Sequence, residues 1–410
     1  MKIWIKLLAG AVIGLFLGLF LSQENGALGD AISFLSEFSI NIGRYAVFPL
    51  IFFSLAVGTY ELKREKKVLR VYGRSILYLF AFSALLAIFG TLSALVLSPD
   101  RIPIINEEET AFAISGIKDV LLQIFPRNFF QVFNDGANFL LPLYFLSFFL
   151  GLNFTFDRLI TRPVVQFFDS ISRIFYHINS FVLEIMGLGM IAISTFLVMR
   201  ISSAPEIGLY SDLLIVLCVD TAIVVFGIYP TLLYFLAGKS NPFKWLYASL
   251  APAIAGFVSG DAYFSLNALI RNGRENTGIP RKIGSATFPL FALFGKAGTA
   301  MVSSVSFIVI LRSYSSLGIT VPQTLWVMIF SFLVSLSLGS VPGLGAFVAV
   351  SMLSNLFGNG YEEGFLILRP VAPLIISFAV LLDVITASLA SMLVSRHEGL
   401  QEDIHVRDYI

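Results

Sequence analysis

Several apolar runs in this chain are long enough to cross a lipid bilayer, and their length restricts the folds that the chain can adopt. Of its 410 residues, 57% are hydrophobic and 13% are charged, which is too little polar surface for a water-soluble protein of this size. A helix needs about 20 apolar residues to cross the hydrocarbon core, and backbone N–H and C=O groups must pair internally there. We therefore predict an all-α polytopic membrane protein.

Six plain transmembrane helices are predicted in the first part of the chain. Each is an apolar run bounded by polar loops, and the runs cover residues 3–21, 38–60, 75–97, 139–154, 167–199 and 213–237. The basic start at Lys2 and Lys6, followed by an apolar run, is also typical of a signal peptide. No convincing small-residue cleavage site follows, and we predict a retained first helix.

Glycine, serine and proline interrupt two later apolar segments where a plain membrane helix would not tolerate them. The interruptions are AGFVSGD at residues 255–261 and LGSVPGLG at residues 338–345. Non-helical backbone at membrane depth is tolerated only where protein or a water-filled cavity satisfies its polar groups. Each interruption is followed by an apolar run that we predict to be an uninterrupted helix, at residues 283–311 and 364–395. This alternation is typical of an inverted repeat around a transporter site; kinks in ordinary helices are the alternative interpretation.

Lysine and arginine collect in alternate loops, which predicts the orientation of the chain because basic loops prefer the cytoplasmic side. The loops predicted to be cytoplasmic contain Lys2, Lys6, Lys63, Arg64, Lys66, Lys67, Arg70, Arg158, Arg162, Lys239 and Lys244. Both termini are then cytoplasmic, the interruption near Gly260 re-enters from the cytoplasmic side, and that near Pro342 re-enters from outside. The predicted architecture is eight transmembrane helices plus two re-entrant helical hairpins in a cell (inner or plasma) membrane.

Composition argues against several other classes of function. The net charge of +1 provides no positive field for nucleic acid, and a single cysteine, Cys218, cannot form an internal disulfide or a multi-cysteine metal site. The three histidines lie far apart in the sequence, without metal-ligand spacing. We expect no enzymatic activity, no cofactor and no nucleic-acid partner.

Short motifs spread along nearly the whole chain resemble one transporter family. They are FPLIFFSLAVG at residues 48–58, FPRNFF at 125–130, LLPL at 140–143, GT at 298–299 (the end of an NMDGT motif), SVPGLG at 340–345 and VSRHEG at 394–399. On these residues the chain is similar to the dicarboxylate/amino acid:cation symporter family, to which sodium-coupled glutamate and aspartate transporters belong. The resemblance implies a glutamate-transporter-like elevator fold with inverted repeats, assembled as a homotrimer in the lipid bilayer.

The resemblance also implies a static scaffold domain and a mobile transport domain that carries the substrate. The scaffold comprises residues 1–74 and 99–207, with spans one, two, four and five. The transport domain comprises residues 75–98 and 208–396, with spans three, six, seven and eight and both hairpins. Residues 397–410 form a cytoplasmic tail.

Several positions that the resemblance aligns with ion or substrate ligands carry other residues in this chain: Leu79, Phe82, Gly295, Lys296, Ala297, Ile376, Ala379 and Ala387. Ser83 is retained, Asp383 replaces an asparagine, and the serine-rich tip of the first hairpin is reduced to residues 259–262 (SGDA). A hard cation needs about six oxygen ligands, and an acidic side chain without an arginine at Ala379 would be buried unpaired. We therefore expect a coupling other than the usual three-sodium mode and a substrate less acidic than aspartate.

Lys296 is the most informative position, because a lysine inside so apolar a run costs at least about 2.5 kcal/mol and needs an anionic partner. Asp383 in the last predicted helix is the first candidate for this partner, and Asp261 at the first hairpin tip is the second. We predict that the ammonium takes the place of a sodium ion as a tethered cation, so that sodium binding is not expected. Proton exchange within the pair is a variant, and a permanent structural ion pair is the alternative.

Two sets of residues are candidates for the transport site. For substrate binding they are Ser259, Asp261, Thr299, Ser340, Val341, Pro342, Gly343, Ala379 and Asp383. For the coupling ion they are Lys296, Asp383, Ser83 and Gly295. The second hairpin tip offers free amides at half-helix ends for a carboxylate. Asp220 and Glu184 also lie in apolar runs, and we predict structural roles for them.

The predicted function is secondary active transport of a small organic solute, of the amino acid or dicarboxylate kind that the resemblance implies. An anion-channel-like protein is one alternative, because a chain that has lost its cation sites would conduct ions rather than accumulate a solute. A non-transporting membrane scaffold is the other. Concentrative uptake distinguishes the transporter from both, since a channel cannot accumulate a solute above equilibrium.

Overall fold

A computed structural model describes residues 2–21, 26–103, 124–126, 128–134, 140–202, 207–238, 241–315, 318–338 and 345–410. Within these ranges the regular secondary structure is helical, and no strand is formed. Seven helical segments of this described part are long and apolar enough to cross a bilayer. The predicted class, an all-α protein with many membrane-spanning helices, is confirmed at this level.

The helices of the first half follow the predicted apolar runs. They are α1 (Ile3–Phe20), α2 (Gly26–Arg64), α3 (Val68–Leu97), α4 (Gln131–Asn134), α5 (Leu140–Asn153) and α6 (Arg158–Ser202). With 39 residues in α2 and 45 in α6, these helices are roughly 58 and 68 Å long and exceed a hydrocarbon core of about 30 Å. The predicted fourth span is represented by the 14 residues of α5, and residues 135–139 before it lie outside the described part.

Close packing joins α1 to α6. Gly10 and Gly14 lie one turn apart on α1, and a Cβ at these positions would lie 2.1 Å from the carbonyl oxygen of Gly187 and 2.3 Å from that of Ile191. Glycines at this spacing let two membrane helices approach backbone to backbone. The helix α2 packs along α6 and α5, and these four helices form one group.

The second half contains shorter helices. They are α7 (Ser211–Ile223), continued by a π turn (Val224–Ile228) and α8 (Tyr229–Leu236), then α9 (Pro242–Ala248), α10 (Leu250–Ser259), α11 (Ala262–Glu275), α12 (Arg281–Phe294), α13 (Ala297–Tyr314), α14 (Val321–Ser337), α15 (Gly345–Phe357) and, after a 3-10 segment (Gly364–Val371), α16 (Ala372–His397). In this half, α13 packs against α3 and α16, and α16 packs against α10, α11 and α12.

The first interrupted segment is a helix–turn–helix. The chain reverses between α10 and α11 because Gly260 adopts a left-handed conformation with φ of +60°, which favours glycine, and Asp261 caps the start of α11 by accepting the N–H of Phe264 at 2.7 Å. The two helices pack against each other. This geometry has the form of the predicted hairpin, and its depth in a membrane remains a prediction.

The second interrupted segment also consists of two helices, α14 and α15, which are in contact. Its predicted tip at Ser340, Val341, Pro342 and Gly343 lies outside the described residues.

The prediction of an uninterrupted helix over residues 283–311 is wrong. α12 ends and α13 begins on either side of Gly295 and Lys296, whose ψ angles of +62° and +45° are not helical. The first N–H groups of α13 therefore have no acceptor in α12. A carboxylate from α16 replaces one of these acceptors, as described below, and the seventh predicted span is two half-helices.

The C-terminal residues 397–410, predicted as a tail, pack against the loop between α11 and α12. The N–H of Glu402 donates to the carbonyl oxygen of Gly278 at 3.0 Å, and the N–H of Ile410 donates to Oδ1 of Asn276 at 3.0 Å. The ring of Tyr409 stacks on Tyr247 at 5.9 Å between centroids, and burial raises the pKa of Tyr409 to about 12. The tail therefore braces the base of the first hairpin.

Candidate functional site

A buried polar cluster forms at the break between α12 and α13. The side chains of Lys296 and Asp383 are 6% and 4% exposed, and Nζ of Lys296 lies 3.9 Å from Oδ2 of Asp383. The Asp383 carboxylate also accepts two hydrogen bonds from Thr299, from its N–H at 3.0 Å and from its hydroxyl at 2.8 Å. The ammonium is thus in ion-pair contact, beyond hydrogen-bond distance, with a carboxylate that is held by α13.

The helix break itself explains this arrangement. The start of α13 carries unpaired N–H donors and the positive end of the helix dipole, and both stabilise an anion. Asp383 supplies that anion from 84 residues further along the chain, counted from Thr299. The lysine beside it compensates the remaining charge. The cluster is therefore an ion pair of one ammonium and one carboxylate at the positive end of a helix dipole.

Close contact between α13 and α16 is required for this cluster, and Gly298 permits it. A Cβ at Gly298 would lie 2.4 Å from the carbonyl oxygen of Ala379 and 2.4 Å from Cβ of Leu382. These distances are far below van der Waals contact, so no larger residue fits without separating the helices. Ala379, a predicted substrate residue, therefore serves here as a packing surface for α13.

We expect Gly298→Ala to destabilise the protein by about 1–3 kcal/mol, because the added methyl group pushes α13 from α16 and stretches the Thr299–Asp383 hydrogen bonds. Gly73→Ala on α3 is the matched control, since nothing lies within 4 Å of a Cβ at that position. Thermal unfolding in detergent measures the difference. Equal midpoints for the two variants would show that the α13–α16 contact tolerates separation.

A second polar contact lies at the tip of the first hairpin. Oδ2 of Asp261 forms an ion pair with the guanidinium of Arg44 on α2, and the side chains are 3% and 18% exposed. Ser259 donates its hydroxyl hydrogen to the carbonyl oxygen of Ala255 at 2.6 Å and accepts the N–H of Asp261 at 3.1 Å. The tip therefore has a pre-formed backbone, and its carboxylate faces another helix group.

The two polar clusters are separate along α16. Gly260 at the hairpin tip lies against Ile376, since a Cβ there would be 3.1 Å from its side chain. Asp383 follows seven residues later on the same face of α16, roughly 10.5 Å along the axis. The structure thus brings Lys296 together with Asp383, and it places Asp261 with Arg44.

Arg44 was not among the residues singled out from the sequence. It lies near the middle of α2, inside the predicted span 38–60. An ionisable residue inside a membrane helix is a functional candidate by itself, so the signal was present. Arg44 lies outside the loops whose charges predict the orientation of the chain, and for this reason it was missed.

Ser83 and Gly295 are the other two residues that were predicted for the ion site. α3 and α13 run parallel, because Gly90 lies against Met301 and Ile102, just after α3, donates its N–H to Ser313 near the end of α13 at 3.0 Å. Ser83 lies about two turns before Gly90, and the 295–296 break lies about two turns before Met301. Ser83 is therefore about level with the break. Its buried hydroxyl has no hydrogen-bond partner within the described ranges.

Most positions that the resemblance aligns with ion or substrate ligands have no side-chain oxygen atom in this chain. The side chains of Leu79, Phe82, Ile376, Ala379 and Ala387 are buried and apolar, and no group of three or more histidine, cysteine or acidic residues that suits a metal ion occurs in the part of the chain that the structure describes. At the break, the described residues provide a side-chain ammonium beside a carboxylate.

Comparisons with known proteins agree with the motifs. The model of the sodium:dicarboxylate symporter family matches residues 3–397. The chain is 22% identical to a proton/sodium-glutamate symport protein of Bacillus subtilis (strain 168), over 96% of this chain and 92% of that protein. It is 24% identical to a serine/threonine transporter of Enterococcus faecalis, over 86% and 81%, and 20% identical to a C4-dicarboxylate transport protein of Bacillus subtilis, over 86% and 83%. The matched region includes both interrupted segments and the Lys296–Asp383 pair.

Proposed function

Since the chain belongs to the sodium:dicarboxylate symporter family, we propose that it is a secondary active transporter that moves a small organic solute across a cell membrane by an elevator movement. The match over residues 3–397 is the observation that carries this proposal. The buried ion pair at a helix break supports it, because charges inside membrane segments and discontinuous helices mark solute and ion pathways.

The packing of the described helices supports a scaffold of residues 1–74 and 99–207 and a transport domain of residues 75–98 and 208–396. α1, α2, α5 and α6 form one group, and α3 with α10 to α13 and α16 forms the other. Among the described residues, four ion pairs connect scaffold residues to transport-domain residues: Arg44–Asp261, Glu184–Arg271, Asp169–Arg281 and Glu65–Lys282. A transport domain that slides past the scaffold has to break these contacts.

The exposed faces of the first group support assembly in the bilayer. Large apolar side chains are exposed on α1, α2 and α6, among them Phe16, Phe20, Phe34, Tyr45 and Leu188. Lipid or a neighbouring protomer has to cover them. We propose that the chain forms a homotrimer through this group, with both termini in the cytoplasm.

A neutral amino acid fits the described residues better than a dicarboxylate does. The hairpin tip lies beside Ile376, and the partly buried Arg44 and the buried Lys296 are each paired with a carboxylate of the protein. A second substrate carboxylate would have to compete with Asp261 or Asp383 for these cations, or be buried unpaired at a cost of several kcal/mol. One relative is named as a serine/threonine transporter, and we propose a substrate of that neutral class.

The coupling mode is proposed from the same cluster. With Lys296 beside Asp383, the ammonium occupies a position where a small cation would otherwise be needed to hold α13 and α16 together. A covalently tethered cation does not exchange with the solution. Transport would then need no sodium at this position.

Uptake into proteoliposomes tests the function. In vesicles with inward-directed sodium and proton gradients, we expect the purified protein to accumulate radiolabelled L-serine above the external concentration, more strongly than L-aspartate or succinate. The reason is that Arg44 and Lys296, the cations described at the site, are each paired with a carboxylate of the protein. The measurement is the internal concentration with time in vesicles with and without the protein. Equilibration without accumulation would indicate a channel, and the absence of any flux for the three probes would indicate a scaffold.

A further inference from the structure

Asp220 is a buried acidic residue that the proposed transport site does not use. It lies on α7 and is 0% exposed, and its carboxyl group is hydrogen-bonded to the hydroxyl of Ser93 on α3. Its other oxygen, Oδ1, has no hydrogen-bond partner among the described residues. An ionised carboxylate in such a position would be desolvated with one hydroxyl as its partner, which is energetically unfavourable.

The hydrogen atoms available at this contact favour the neutral acid. Oγ of Ser93 lies near Asp220 and also 3.3 Å from the carbonyl oxygen of Gly90. A serine hydroxyl has one hydrogen, so it can serve one of these two acceptors if Asp220 is ionised. If Asp220 is protonated, its own hydroxyl donates to Ser93, and Ser93 donates to Gly90. The protonated form completes a chain of two hydrogen bonds.

Among the described residues, no cation on a neighbouring element neutralises the Asp220 carboxylate in place of a proton. The elements that pack against α7 are the π turn that leads into α8, a 3-10 turn (Ile207–Tyr210), α3, α13 and α16. The other titratable side chains on α7, on α8 and on these elements, with Lys296 just before α13, are Asp212, Cys218, Tyr210, Tyr229, Tyr234, Arg70, Tyr72, Arg74, Tyr78, Lys296, Arg312, Tyr314, Asp383, Arg396 and His397. Asp212 is eight residues away on α7, roughly 12 Å along the axis. Within the described ranges, none of these cations forms an ion pair with Asp220, whereas Lys296 is committed to Asp383.

The backbone beside Asp220 is irregular. A π turn at Val224–Ile228 follows it, and the N–H of Val224 is shared between the carbonyl oxygens of Asp220 and Thr221. The hydroxyl of Thr221 has no hydrogen-bond partner among the described residues. Single π turns inside helices are frequent at functional sites. Two buried polar groups with unused hydrogen-bonding capacity thus lie just before the irregular turn.

We propose that Asp220 is a proton-binding site that works with Ser93, and that it couples transport to a pH gradient. This inference rests on the proposed transport function. Because α3 and α7 both belong to the proposed transport domain, the proton would move with the substrate. The site is distinct from Lys296, so proton coupling would need no exchange within the Lys296–Asp383 pair.

Infrared spectroscopy of the purified protein tests the site without a substrate. At neutral pH, we expect the C=O stretching band of a protonated carboxylic acid to be present in the wild type, lost in Asp220→Asn and retained in Asp212→Asn. The asparagine is similar in shape to the neutral acid and keeps the contact with Ser93, so folding is expected to be preserved. A band of equal size in wild type and Asp220→Asn would overturn the proposal.

Proteoliposome transport of L-serine, L-aspartate and succinate tests the coupling. We expect an acidic exterior to increase accumulation by the wild type and by Asp212→Asn, and this increase to be lost in Asp220→Asn, while exchange at equal pH continues. An unchanged response to the gradient in Asp220→Asn would overturn the proposal. If the wild type moves none of the three probes, the transport function fails, while the infrared result still decides whether Asp220 holds a proton.

Discussion

Replacement of Lys296 by methionine is expected to lower the free energy of unfolding by about 3–5 kcal/mol. The ammonium is the counter-charge 3.9 Å from the Asp383 carboxylate, and without it that buried carboxylate keeps the hydrogen bonds from Thr299 but no cation among the described residues. Methionine has nearly the length of the lysine stem, so the variant removes the charge without a large cavity. Equilibrium unfolding in mixed detergent micelles measures the loss.

Two comparison variants make this result specific to the buried pair. Lys282→Met removes a lysine that pairs with Glu65 at 2.6 Å in a partly exposed position, and we expect a change below about 1 kcal/mol. Adding Asp383→Asn to Lys296→Met removes the unpaired charge and is expected to restore most of the stability. A double variant as unstable as Lys296→Met would contradict the ion-pair account.

Sodium dependence separates a tethered cation from a permanent structural pair. We expect wild-type uptake of L-serine to be unchanged when choline replaces sodium, and Lys296→Met to lose uptake in choline and regain part of it in sodium, because methionine leaves the Asp383 carboxylate open to a small cation. Uptake by the wild type that strictly requires sodium would contradict the tethered-cation hypothesis.

The large-scale fold was predictable because the bilayer constrains a chain locally. The length of an apolar run determines whether a segment can cross the bilayer. Within the Ser259–Asp261 interruption, two local residues determine the turn: a glycine that tolerates φ of +60° and an aspartate that caps the next helix. Such signals act between residues that are close in sequence. The helix–turn–helix form of this segment could therefore be predicted from residues 255–261 alone.

The break at residues 295–296 depends on a contact that no local pattern contains. The first turn of α13 is stabilised there by Asp383 on α16, and Gly298 is needed because Ala379 and Leu382 lie against it. The hydropathy pattern over residues 283–311 shows an apolar run, and it contains no information about these contacts with α16. The pairing of Lys296 could be ranked from the sequence, but the helix break could not.

The ion pair between Arg44 and Asp261 is the contact whose disruption should most affect movement between the two helix groups. It joins α2 to the first hairpin tip through a carboxylate side chain that is 3% exposed, whereas the carboxylate side chain of the Glu184–Arg271 pair, also between groups, is 39% exposed. Buried pairs lose more than exposed pairs when one partner is removed. The hairpin tip is therefore the position where a charge holds the proposed transport domain against the scaffold.

Arg44→Met is expected to destabilise the observed conformation by about 3–5 kcal/mol, because the Asp261 carboxylate then stays buried without its cation. Arg173→Met is the control at an exposed pair, because the Arg173 side chain, which pairs with Asp169, is 68% exposed, and the expected change is below about 1 kcal/mol. Exchanging the charges, Arg44→Asp with Asp261→Arg, should recover part of the loss, although the arginine cannot cap α11 and the cap contributes about 1 kcal/mol. Equal unfolding curves for Arg44→Met and Arg173→Met would contradict a stabilising role of the Arg44–Asp261 pair.

A reversible cross-link at the same positions tests whether this contact must open during transport. In a chain whose single native cysteine is replaced, Cys218→Ala, we expect a bifunctional methanethiosulfonate reagent, which replaces the length of the arginine side chain, to cross-link the double variant Arg44→Cys and Asp261→Cys and to abolish its L-serine uptake. Reduction should restore uptake, and each single cysteine variant should keep its uptake in the presence of the reagent. Because α2 belongs to the proposed scaffold and the tip to the proposed transport domain, full transport by the cross-linked protein would exclude a sliding movement between them.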